Sequence, residues 1–420
     1  MKILIISHNP VSEQSNMGKT FCSLFSSFAP AELCQLYIYP TVPNERRCGS
    51  YYRVTDKEAL LPWLKTGAPM ERAGEGQGLF ENPADARVYR DRRNQSALRR
   101  LLRDVMWTVS GWYGTDLKAW LAEQKPTCIF AAPGGAKFLY NFALRIAADW
   151  QIPIVTYLCD EFYFVKKPVG ILETLCLRLL RRKMESLMVR TAHLVTISPE
   201  LEEVYRDRFL VPATVLMTGA SIPMAAEANV PGRPTEISYF GNVRCNRYVS
   251  LADIGRELDA INREKGTNYR LKIYTAEQDF QILCVLKNYE SIDLCGFLSG
   301  RDFTEALMGA QLLLHVEAFD PESMDMVKHS VSTKIADSLA SGIPLLAYGP
   351  ADIASMKHLL RNECAITATT PQALRGMLQT AFEDGTARVK AVQKALLTAA
   401  EYHRSEENSR KLRKVFEEII

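Results

Sequence analysis

The residues best suited to chemistry lie within positions 329–355, HSVSTKIADSLASGIPLLAYGPADIAS. This pattern predicts a helix capped by the hydroxyl of Ser332 or Thr333, with Lys334 and Asp337 in its first turn. The free N–H groups of a helix N-terminus bind phosphate, and a carboxylate nearby can hold two ribose hydroxyls. The segment therefore suits a ligand that carries phosphate and ribose. The alternative is an ordinary amphipathic helix of an α/β domain with Asp337 in solvent.

The motif S-x-S-T-K-I-x-D-x-L-A-S-G-x-P resembles the donor-nucleotide segment of GT-B glycosyltransferases, in particular the retaining GT4-like group. In that group a Lys, and three residues later an acidic residue, precede a Leu-Ala-x-Gly-x-Pro run. The resemblance implies that Asp337 binds the ribose and that Lys334 lies near the diphosphate. It also places Ser332 and Thr333 at the donor.

Two further donor contacts follow from the same resemblance. The family's more common motif has a second Glu eight positions before the ribose-binding carboxylate, where this chain has His329. Glu317, which follows the preceding predicted strand, is the candidate replacement. The loop 296–299 resembles the place where family members hold the donor base, so Phe297 and Leu298 are predicted there.

The segment 236–248, EISYFGNVRCNRY, resembles the strand, glycine and loop that open the GT-B donor domain. Family members place one basic residue directly after the glycine and another several positions on, and both bind the donor diphosphate. Asn242 and Tyr248 occupy those positions here. Arg244 and Arg247 lie between them and are the candidates for phosphate contact, because a guanidinium matches phosphate oxygens. Exposed loop arginines are the alternative.

Two candidate residues lie in the first half of the chain. Gly18 is predicted in a polar loop, 7–20, and GT-B enzymes bring the corresponding loop to the donor phosphates. The alternative is a glycine needed only for backbone freedom. Asp160 lies at the carboxyl end of the predicted strand at 152–163 and matches the Asp of the family's His-Asp pair at the sugar site, while Cys159 replaces the His. An N-cap role for Asp160 is the alternative.

Strand and helix patterns alternate along the chain, which predicts parallel sheets with ligands at the carboxyl ends of their strands. The predicted fold class is α/β, with two Rossmann-like doubly wound domains facing a cleft (GT-B). The predicted domains are 1–230, on the acceptor side, and 231–400, for the nucleotide-sugar donor, joined by the Pro/Gly-rich linker 227–234. The helix 401–420 is expected to pack back on the first domain. Residues 40–85 predict irregular structure.

The composition limits the functions open to this chain. A net charge of +3 over 420 residues gives little reason to expect a polyanion partner, although residues 1–230 carry 28 Lys and Arg against 23 Asp and Glu. The ten cysteines form no C-x-x-C pair, so neither a zinc site nor a redox motif is predicted, and scattered thiols fit a reducing cytosol. No signal peptide or bilayer-spanning run is predicted, which favours a cytoplasmic location.

One basic stretch, 87–113, leaves two interpretations open. Its aromatic residues are Trp107, Trp112 and Tyr113, and its arginines are Arg87, Arg90, Arg92, Arg93, Arg99, Arg100 and Arg103. Arginines followed by interfacial aromatics predict a helix on an anionic membrane surface, which would make the protein peripheral on the inner face of the membrane. The alternative is a solvated basic helix with its tryptophans in the core. A second basic stretch, 177–190, favours the membrane. No known nucleic-acid module is present.

The resemblance implies transfer of a hexose-type sugar from a UDP- or GDP-linked donor to an acceptor hydroxyl with retention, in cell-surface polysaccharide or glycoconjugate synthesis. Lys334 and Arg244 or Arg247 would stabilise the leaving diphosphate, and Asp160 would contact the sugar or a lipid-linked acceptor. Neither a metal nor a cofactor is then required. Three alternatives remain: a catalytically silent GT-B partner subunit, a membrane-surface adaptor and a nucleotide-sugar 2-epimerase.

Overall fold

In a computed structural model of the protein, which describes residues 1–12, 16–43, 47–60, 67–70, 96–164 and 170–420, the chain divides into two units. The first unit combines Met1–Leu216 with Ser405–Ile420, and the second is Met217–Arg404. Each unit has its own sheet, mostly parallel in the first unit and wholly parallel in the second, and its own hydrophobic core.

The sheet of the first unit has eight strands in the described residues. They are β1 (Ile3–Ser7), β2 (Leu33–Tyr37), β3 (Ser50–Arg53), β4 (Ala68–Pro69), β5 (Cys128–Ala132), β6 (Ile154–Leu158), β7 (Thr191–Thr196) and β8 (Ala213–Val215). Their order is β4-β3-β2-β1-β5-β6-β7-β8, and every pairing is parallel except that of β3 with β4. The chain leaves β1 towards one edge and returns to the other side of it at β5, which is the reversal typical of a doubly wound sheet.

The helices of the first unit cover this sheet. Within the described residues they are α1 (Asn16–Leu24), α2 (Asp56–Leu60), α3 (Ala97–Val109), α4 (Thr115–Gln124), α5 (Lys137–Trp150), α6 (Ile171–Met188) and α7 (Pro199–Phe209), to which residues 405–420 add one more, described below. The strands β1, β5 and β6 are fully buried, because helices cover both of their faces.

The sheet of the second unit is wholly parallel, in the order β11-β10-β9-β12-β13-β14. Its strands are β9 (Glu236–Phe240), β10 (Arg270–Tyr274), β11 (Ile292–Gly296), β12 (Leu312–Val316), β13 (Leu345–Tyr348) and β14 (Ile366–Ala368). Its helices are α8 (Arg247–Lys265), α9 (Phe280–Lys287), α10 (Gly300–Met308), α11 (Pro321–Val327), α12 (Lys334–Ala340), α13 (Ala354–Arg361), α14 (Leu374–Glu383) and α15 (Gly385–Tyr402). Because every strand points the same way, all of their carboxyl ends meet at one edge.

The predicted alternation of strands and helices, with parallel sheets in two Rossmann-like units, is confirmed. The prediction of irregular structure for 40–85 is wrong where the structure describes that segment, since β3, α2 and β4 lie there. Tyr51 and Tyr52 are buried, and β3 gains its backbone partners from β2. A strand of four residues has too short a pattern to stand out in a polar, turn-rich segment.

The division between the units lies at Leu216–Met217, whereas the predicted boundary was 230. Residues 217–230 join the second unit through backbone hydrogen bonds: Ala225 N–H donates to Ala340 O at 2.8 Å, and Asn229 N–H donates to Gly342 O at 2.7 Å. Gly342, where the helix α12 ends, has a φ of +74°, and a Cβ there would lie 2.7 Å from Glu227 O. The glycine is therefore required both by its backbone angle and by this close approach.

The helix α16 (Ser405–Ile419) belongs to the first unit, while residues 401 and 402 still belong to α15 in the second. Leu412, Val415 and Phe416 are buried in one cluster with Phe25 and Phe28. The residues 405–420 thus fill a hydrophobic surface of the first unit that the helix α1 borders.

The interpretation of the basic stretch 87–113 as a surface with interfacial tryptophans is wrong for the aromatic residues. Trp107 stacks on Phe138 with ring centroids 4.6 Å apart, and Trp112 stacks on Phe142 at 3.8 Å. Both tryptophans are buried, because they face α5 rather than solvent. Residues 87–95 lie outside the described residues, and the stretch 177–190 falls largely within α6. No helix among the described residues combines the length and the apolarity needed to cross a membrane.

Candidate functional site

The carboxyl edge of the second unit's sheet brings together three residues singled out from the sequence. Glu317 directly follows β12, and Arg247 is the first residue of α8, after the loop that leaves β9. The Arg247 guanidinium donates from Nη2 and Nε to Glu317 Oε2, at 2.7 and 2.9 Å. Lys334, the first residue of α12, is close enough to act electrostatically on Glu317. The expected replacement of the family's second carboxylate by Glu317 is thus compatible with its position.

The local packing of Glu317 is tight. The Ser250 hydroxyl donates to the Glu317 carbonyl at 2.8 Å, and Glu317 N–H donates to Tyr348 O at 2.9 Å. Gly349 follows β13 at this point, and a Cβ on it would lie 2.9 Å from the Cβ of Glu317. The Gly-Pro turn after β13 therefore leaves the space that the Glu317 side chain occupies.

Burial dominates the electrostatics of this cluster. Burial raises the pKa of the Glu317 carboxyl, and the cations Arg247 and Lys334 partly oppose that rise. Burial, together with the same two cations, lowers the pKa of His315 to about 3, so this imidazole is neutral at pH 7. Its Nε2 lies 3.5 Å from Glu317 Oε1 and has no hydrogen-bond partner among the described residues. Two cations, one carboxylate and one neutral imidazole therefore meet at the strand ends.

The start of α12 differs from the prediction in one detail. Thr333 occupies the N-cap position, but its hydroxyl makes no capping bond, and its own backbone is already helical with φ −59° and ψ −22°. Ser332 does not cap the helix either: its N–H donates to Ser355 Oγ at 3.0 Å, and its carbonyl accepts from Ile335 N–H. The predicted hydroxyl cap at Ser332 or Thr333 is therefore wrong, because the chain already turns helically at Thr333.

Asp337 is buried, so the alternative of a solvated carboxylate is wrong. Its Oδ1 accepts from the Ser221 N–H at 2.6 Å and from the Ser221 hydroxyl at 2.9 Å, while Oδ2 lies 3.0 Å from that hydroxyl. The carboxylate thus ties α12 to residues 217–230 at the start of the second unit. Its assignment to a ribose stays a prediction.

Arg244 and Arg247 were both predicted to contact phosphate, but in the structure each pairs with a different carboxylate. Arg244 donates to Glu277, after β10, from Nε at 2.7 Å and from Nη2 at 3.1 Å. This bidentate contact holds the pKa of Glu277 at about 2. Asn242, which stands where the family has its first basic residue, accepts from Arg244 N–H at 2.7 Å and so shapes the loop.

The loop after β11 carries the residues predicted at the donor base. Phe297 is 67% exposed, which is unusual for a large aromatic side chain, and it lies at the same strand edge as Glu317. Leu298 is partly buried against the core. Gly296 has a φ of +78°, a left-handed conformation that glycine adopts without strain and that turns the chain out of the strand.

The two candidates of the first unit lie at the carboxyl ends of β1 and β6. Gly18 is the third residue of α1, which begins at Asn16, so its predicted placement in a loop is wrong. Burial of Phe21 and Leu24 on the inner face of α1 accounts for a helix that starts this early. Asp160 is exposed directly beyond β6, where the Cys159 thiol lies 3.6 Å from its Oδ2. The next described helix begins only at Ile171, so Asp160 does not cap a described helix.

Several residues of the site were missed in the sequence. Glu277 comes two residues after the predicted strand at 271–275, and that position could have singled it out as facing a ligand edge. His315 lies inside the predicted strand at 311–319 and carried no such signal. Ser221 carried no comparable signal, because its partner Asp337 is 116 positions away.

No family model matches the sequence, and no curated protein matches it. Solved structures resemble the whole chain. Sucrose-phosphate synthase from Thermosynechococcus elongatus has a TM-score of 0.64 at 10% identity, with 99% of this chain and 98% of that chain covered. HepE from Anabaena, in complex with UDP and glucose, has a TM-score of 0.64 at 10% identity, and both chains are covered completely. WaaG, a glycosyltransferase involved in lipopolysaccharide biosynthesis, has a TM-score of 0.57 at 12% identity, with 97% and 98% covered. At these identities the likeness shows the fold, and the fold class predicted for this chain is confirmed.

Proposed function

We propose that this chain, which has the GT-B fold, is a glycosyltransferase that takes its sugar from a nucleotide-diphosphate sugar. The observation that carries the proposal is the cluster of Arg247, Lys334, Glu317 and His315 at the carboxyl edge of the second unit's sheet. Two cations at the first residues of two helices suit a diphosphate, since helix N-termini add unpaired N–H groups to the positive charge. The complex of HepE with UDP and glucose supports the same class of ligand.

The reaction needs help mainly at the leaving group. The bond between the anomeric carbon and the diphosphate oxygen breaks, and its electron pair stays on the diphosphate. The acceptor oxygen forms a new bond to the anomeric carbon, and its proton passes to the departing diphosphate. Lys334 and the N–H groups at the start of α12 would stabilise the charge that develops on the diphosphate, as a preorganised electrostatic site. Arg247 would join them by sharing its five N–H donors between Glu317 and phosphate.

The other assignments extend this proposal. Asp337 would hold the ribose, and Phe297 and Leu298 would contact the base, with Ser332 and Thr333 beside the phosphates. Asp160, exposed at the end of β6, would contact the sugar or the acceptor, and Gly18 would let the backbone of α1 approach the phosphates. Arg244 would reach phosphate only by leaving Glu277.

Metal independence, a lack of cofactors and retention of the anomeric configuration are part of the proposal. Cations supplied by the chain could do the work of a metal at the diphosphate. The resemblance of 332–344 to retaining enzymes supports retention. Cell-surface polysaccharide or glycoconjugate synthesis in the cytoplasm, with a sugar or lipid-linked acceptor, is the setting that fits the likeness to WaaG.

Calorimetry with UDP and GDP tests the proposal directly. The protein should bind at least one of the two, and Lys334→Ala should weaken that binding at least tenfold, since it removes one cation next to the diphosphate. Lys287→Ala is the matched control, because Lys287 is exposed at the far end of α9, at the opposite edge of the sheet. The affinity of the Lys287→Ala variant for the nucleotide should stay within about twofold of that of the unchanged protein. No binding of either nucleotide to the unchanged protein would overturn the proposal.

Product analysis then separates transfer from epimerisation. With donor but no acceptor, slow release of the nucleoside diphosphate and a free sugar of unchanged stereochemistry supports a transferase. A free sugar inverted at carbon 2 would contradict it.

A further inference from the structure

The helix α3 exposes an apolar stripe. Leu98, Leu102, Val105 and Val109 are 53%, 60%, 60% and 72% exposed. Spacings of four, three and four residues place them on one narrow face of an α-helix. Trp107 stands about two and a half turns beyond Leu98, so it points the other way, into the core. The outward face of α3 is therefore apolar although the inner face already supplies the packing.

The helix α6 repeats the same spacing on its own outer face. Ile171, Leu175, Arg178 and Arg182 are all exposed, with Ile171 89% accessible. The face is apolar over its first turns and basic beyond them. Its inner side is held by Cys176, Met184, Leu187 and Met188, which are buried.

The two helices are neighbours, and each has an exposed stripe on the side opposite its buried residues. The Arg100 side chain pairs with Glu173, and the Cys176 thiol donates to the Ala97 carbonyl at 3.5 Å. Both helices also pack on α5. We call their exposed residues together the α3–α6 face, defined by the exposed residues of Ala97–Val109 and Ile171–Met188.

The charge on the α3–α6 face is mainly positive, although Arg100 is paired with Glu173 and the Glu185 side chain is 44% exposed. Its exposed residues include four arginines, Arg99, Arg100, Arg178 and Arg182. A hollow of about 310 Å³ opens beside the basic end of α6, lined by Thr174, Leu177, Arg178, Arg181, Arg182 and Glu185. The Glu185 carboxylate there already accepts from the Tyr163 hydroxyl at 2.6 Å.

We infer that the α3–α6 face binds an anionic lipid bilayer. The Leu and Val side chains would enter the boundary between headgroups and acyl chains, while Arg99, Arg178 and Arg182 would contact lipid phosphates. A protein partner would need acidic groups placed to match these arginines, whereas an anionic bilayer offers phosphates to every exposed arginine and an apolar boundary to the aliphatic side chains beside them. This surface uses aliphatic residues where the sequence pattern pointed to tryptophans. The inference does not depend on the proposed transfer reaction.

Vesicle co-sedimentation of the full chain tests the inference. We expect binding to phosphatidylcholine vesicles that contain about 30% phosphatidylglycerol, weaker binding to phosphatidylcholine alone, and loss of the difference at high salt. Arg178→Gln with Arg182→Gln should reduce partitioning to the anionic vesicles by roughly twentyfold, since each surface arginine contributes roughly a factor of five. Leu102→Ser with Val105→Ser should reduce partitioning to both vesicle types, by about tenfold or more.

Two matched variants control for general surface effects. Leu397→Ser removes an apolar side chain that is 67% exposed on α15, and Arg301→Gln removes an exposed arginine of α10. Both should bind vesicles like the unchanged protein, and thermal melts should show all variants folded. The inference is overturned if the unchanged protein ignores anionic vesicles, if the controls lose as much binding as the α3–α6 variants, or if Leu102→Ser with Val105→Ser dissolves a self-association without altering vesicle binding.

Discussion

At the scale of single residues, the pair of Arg247 and Glu317 sets the character of the candidate site. Both side chains are largely withdrawn from water, with 17% and 3% of their surfaces exposed, so the pair contributes little net stability by itself. Removing one member alone lowers the stability, because the other charge is then left buried without a counter-ion. The pair therefore holds the Arg247 guanidinium in one orientation, largely withdrawn from water.

We predict that Glu317→Gln lowers the free energy of unfolding by about 2–4 kcal/mol, because the Arg247 charge loses its counter-ion in a buried place. Urea unfolding followed by circular dichroism measures this. Glu305→Gln breaks a comparable ion pair with Arg301 at the surface, where the side chains are 60% and 87% exposed. That control should cost less than about 1 kcal/mol. Equal costs for the two variants would show that the Arg247 charge is not buried in solution.

Asp337 has both a structural contact and a proposed ligand, and a pair of variants can separate them. Ser221→Ala removes the hydroxyl that contacts both carboxylate oxygens but keeps the N–H bond, so it should cost about 1 kcal/mol and change the donor KM less than threefold. Asp337→Asn should raise the donor KM at least tenfold, because the ribose loses a charged acceptor. If both variants raise the donor KM alike, Asp337 acts only by positioning Ser221.

At the scale of elements, a histidine pair joins the helix α13 to His403, the residue that directly follows α15. His403 Nδ1–H donates to the Thr218 carbonyl at 2.8 Å, since a carbonyl can only accept. His403 Nε2 must then be an acceptor, and His358 Nε2–H donates to it at 3.1 Å. Burial lowers the pKa of His358 to about 3 and that of His403 to about 4. The link therefore depends on both rings being neutral.

This pair predicts acid sensitivity. Between pH 6.5 and about 4 the unfolded chain binds protons at both rings while the folded chain does not, so the free energy of unfolding falls as pH falls through that window. The slope per histidine has an upper limit of roughly 1.4 kcal/mol per pH unit. His358→Gln keeps an amide donor towards His403. The free energy of unfolding of this variant should fall less steeply between pH 7 and pH 5.5, and the slope should be smaller by the contribution of one histidine. Identical slopes in urea unfolding would mean that His358 titrates normally.

The strands were the elements most readily predicted from the sequence. Strands such as Ile3–Ser7 and Leu312–Val316 were recognisable because a buried parallel strand is a short apolar run between turn residues, which is a local property. The contacts within the site were harder to predict from the sequence. Arg247 and Glu317 lie 70 positions apart, and Asp337 and Ser221 lie 116 apart, so composition cannot reveal these partners. The family motif placed Lys334 and Asp337 on one helix, but it could not show that Asp337 would be buried against Ser221.

At the scale of the whole molecule, the two units differ in how the chain builds them. Residues 217–404 form the second unit without interruption, whereas the first unit needs residues 405–420 as well. Phe416 packs on Phe25 and Phe28, and Ser27 bonds to Ser409. The Arg413 guanidinium also binds both carboxylate oxygens of Glu32, at 2.8 and 2.9 Å.

We predict that residues 217–404, produced alone, fold cooperatively and that residues 1–216 alone do not, because the hydrophobic surface that takes Phe416 stays open. Circular dichroism melts and a hydrophobic dye report the difference. In the full chain, Phe416→Ala should lower the free energy of unfolding of the first unit by about 3–5 kcal/mol. Leu397→Ser, on an exposed face, should change the free energy of unfolding little. Cooperative melting of residues 1–216 would contradict the prediction.

The position of α16 also sets an order of events during synthesis. The ribosome makes residues 1–216 first. The helix α16, which completes their hydrophobic cluster, is made only after all of residues 217–404. At roughly 5–20 residues per second that interval lasts about 10–40 s. During it the nascent first unit exposes aromatic side chains to the cell, so chaperones have their best opportunity on the half of the protein that emerges earliest and matures last.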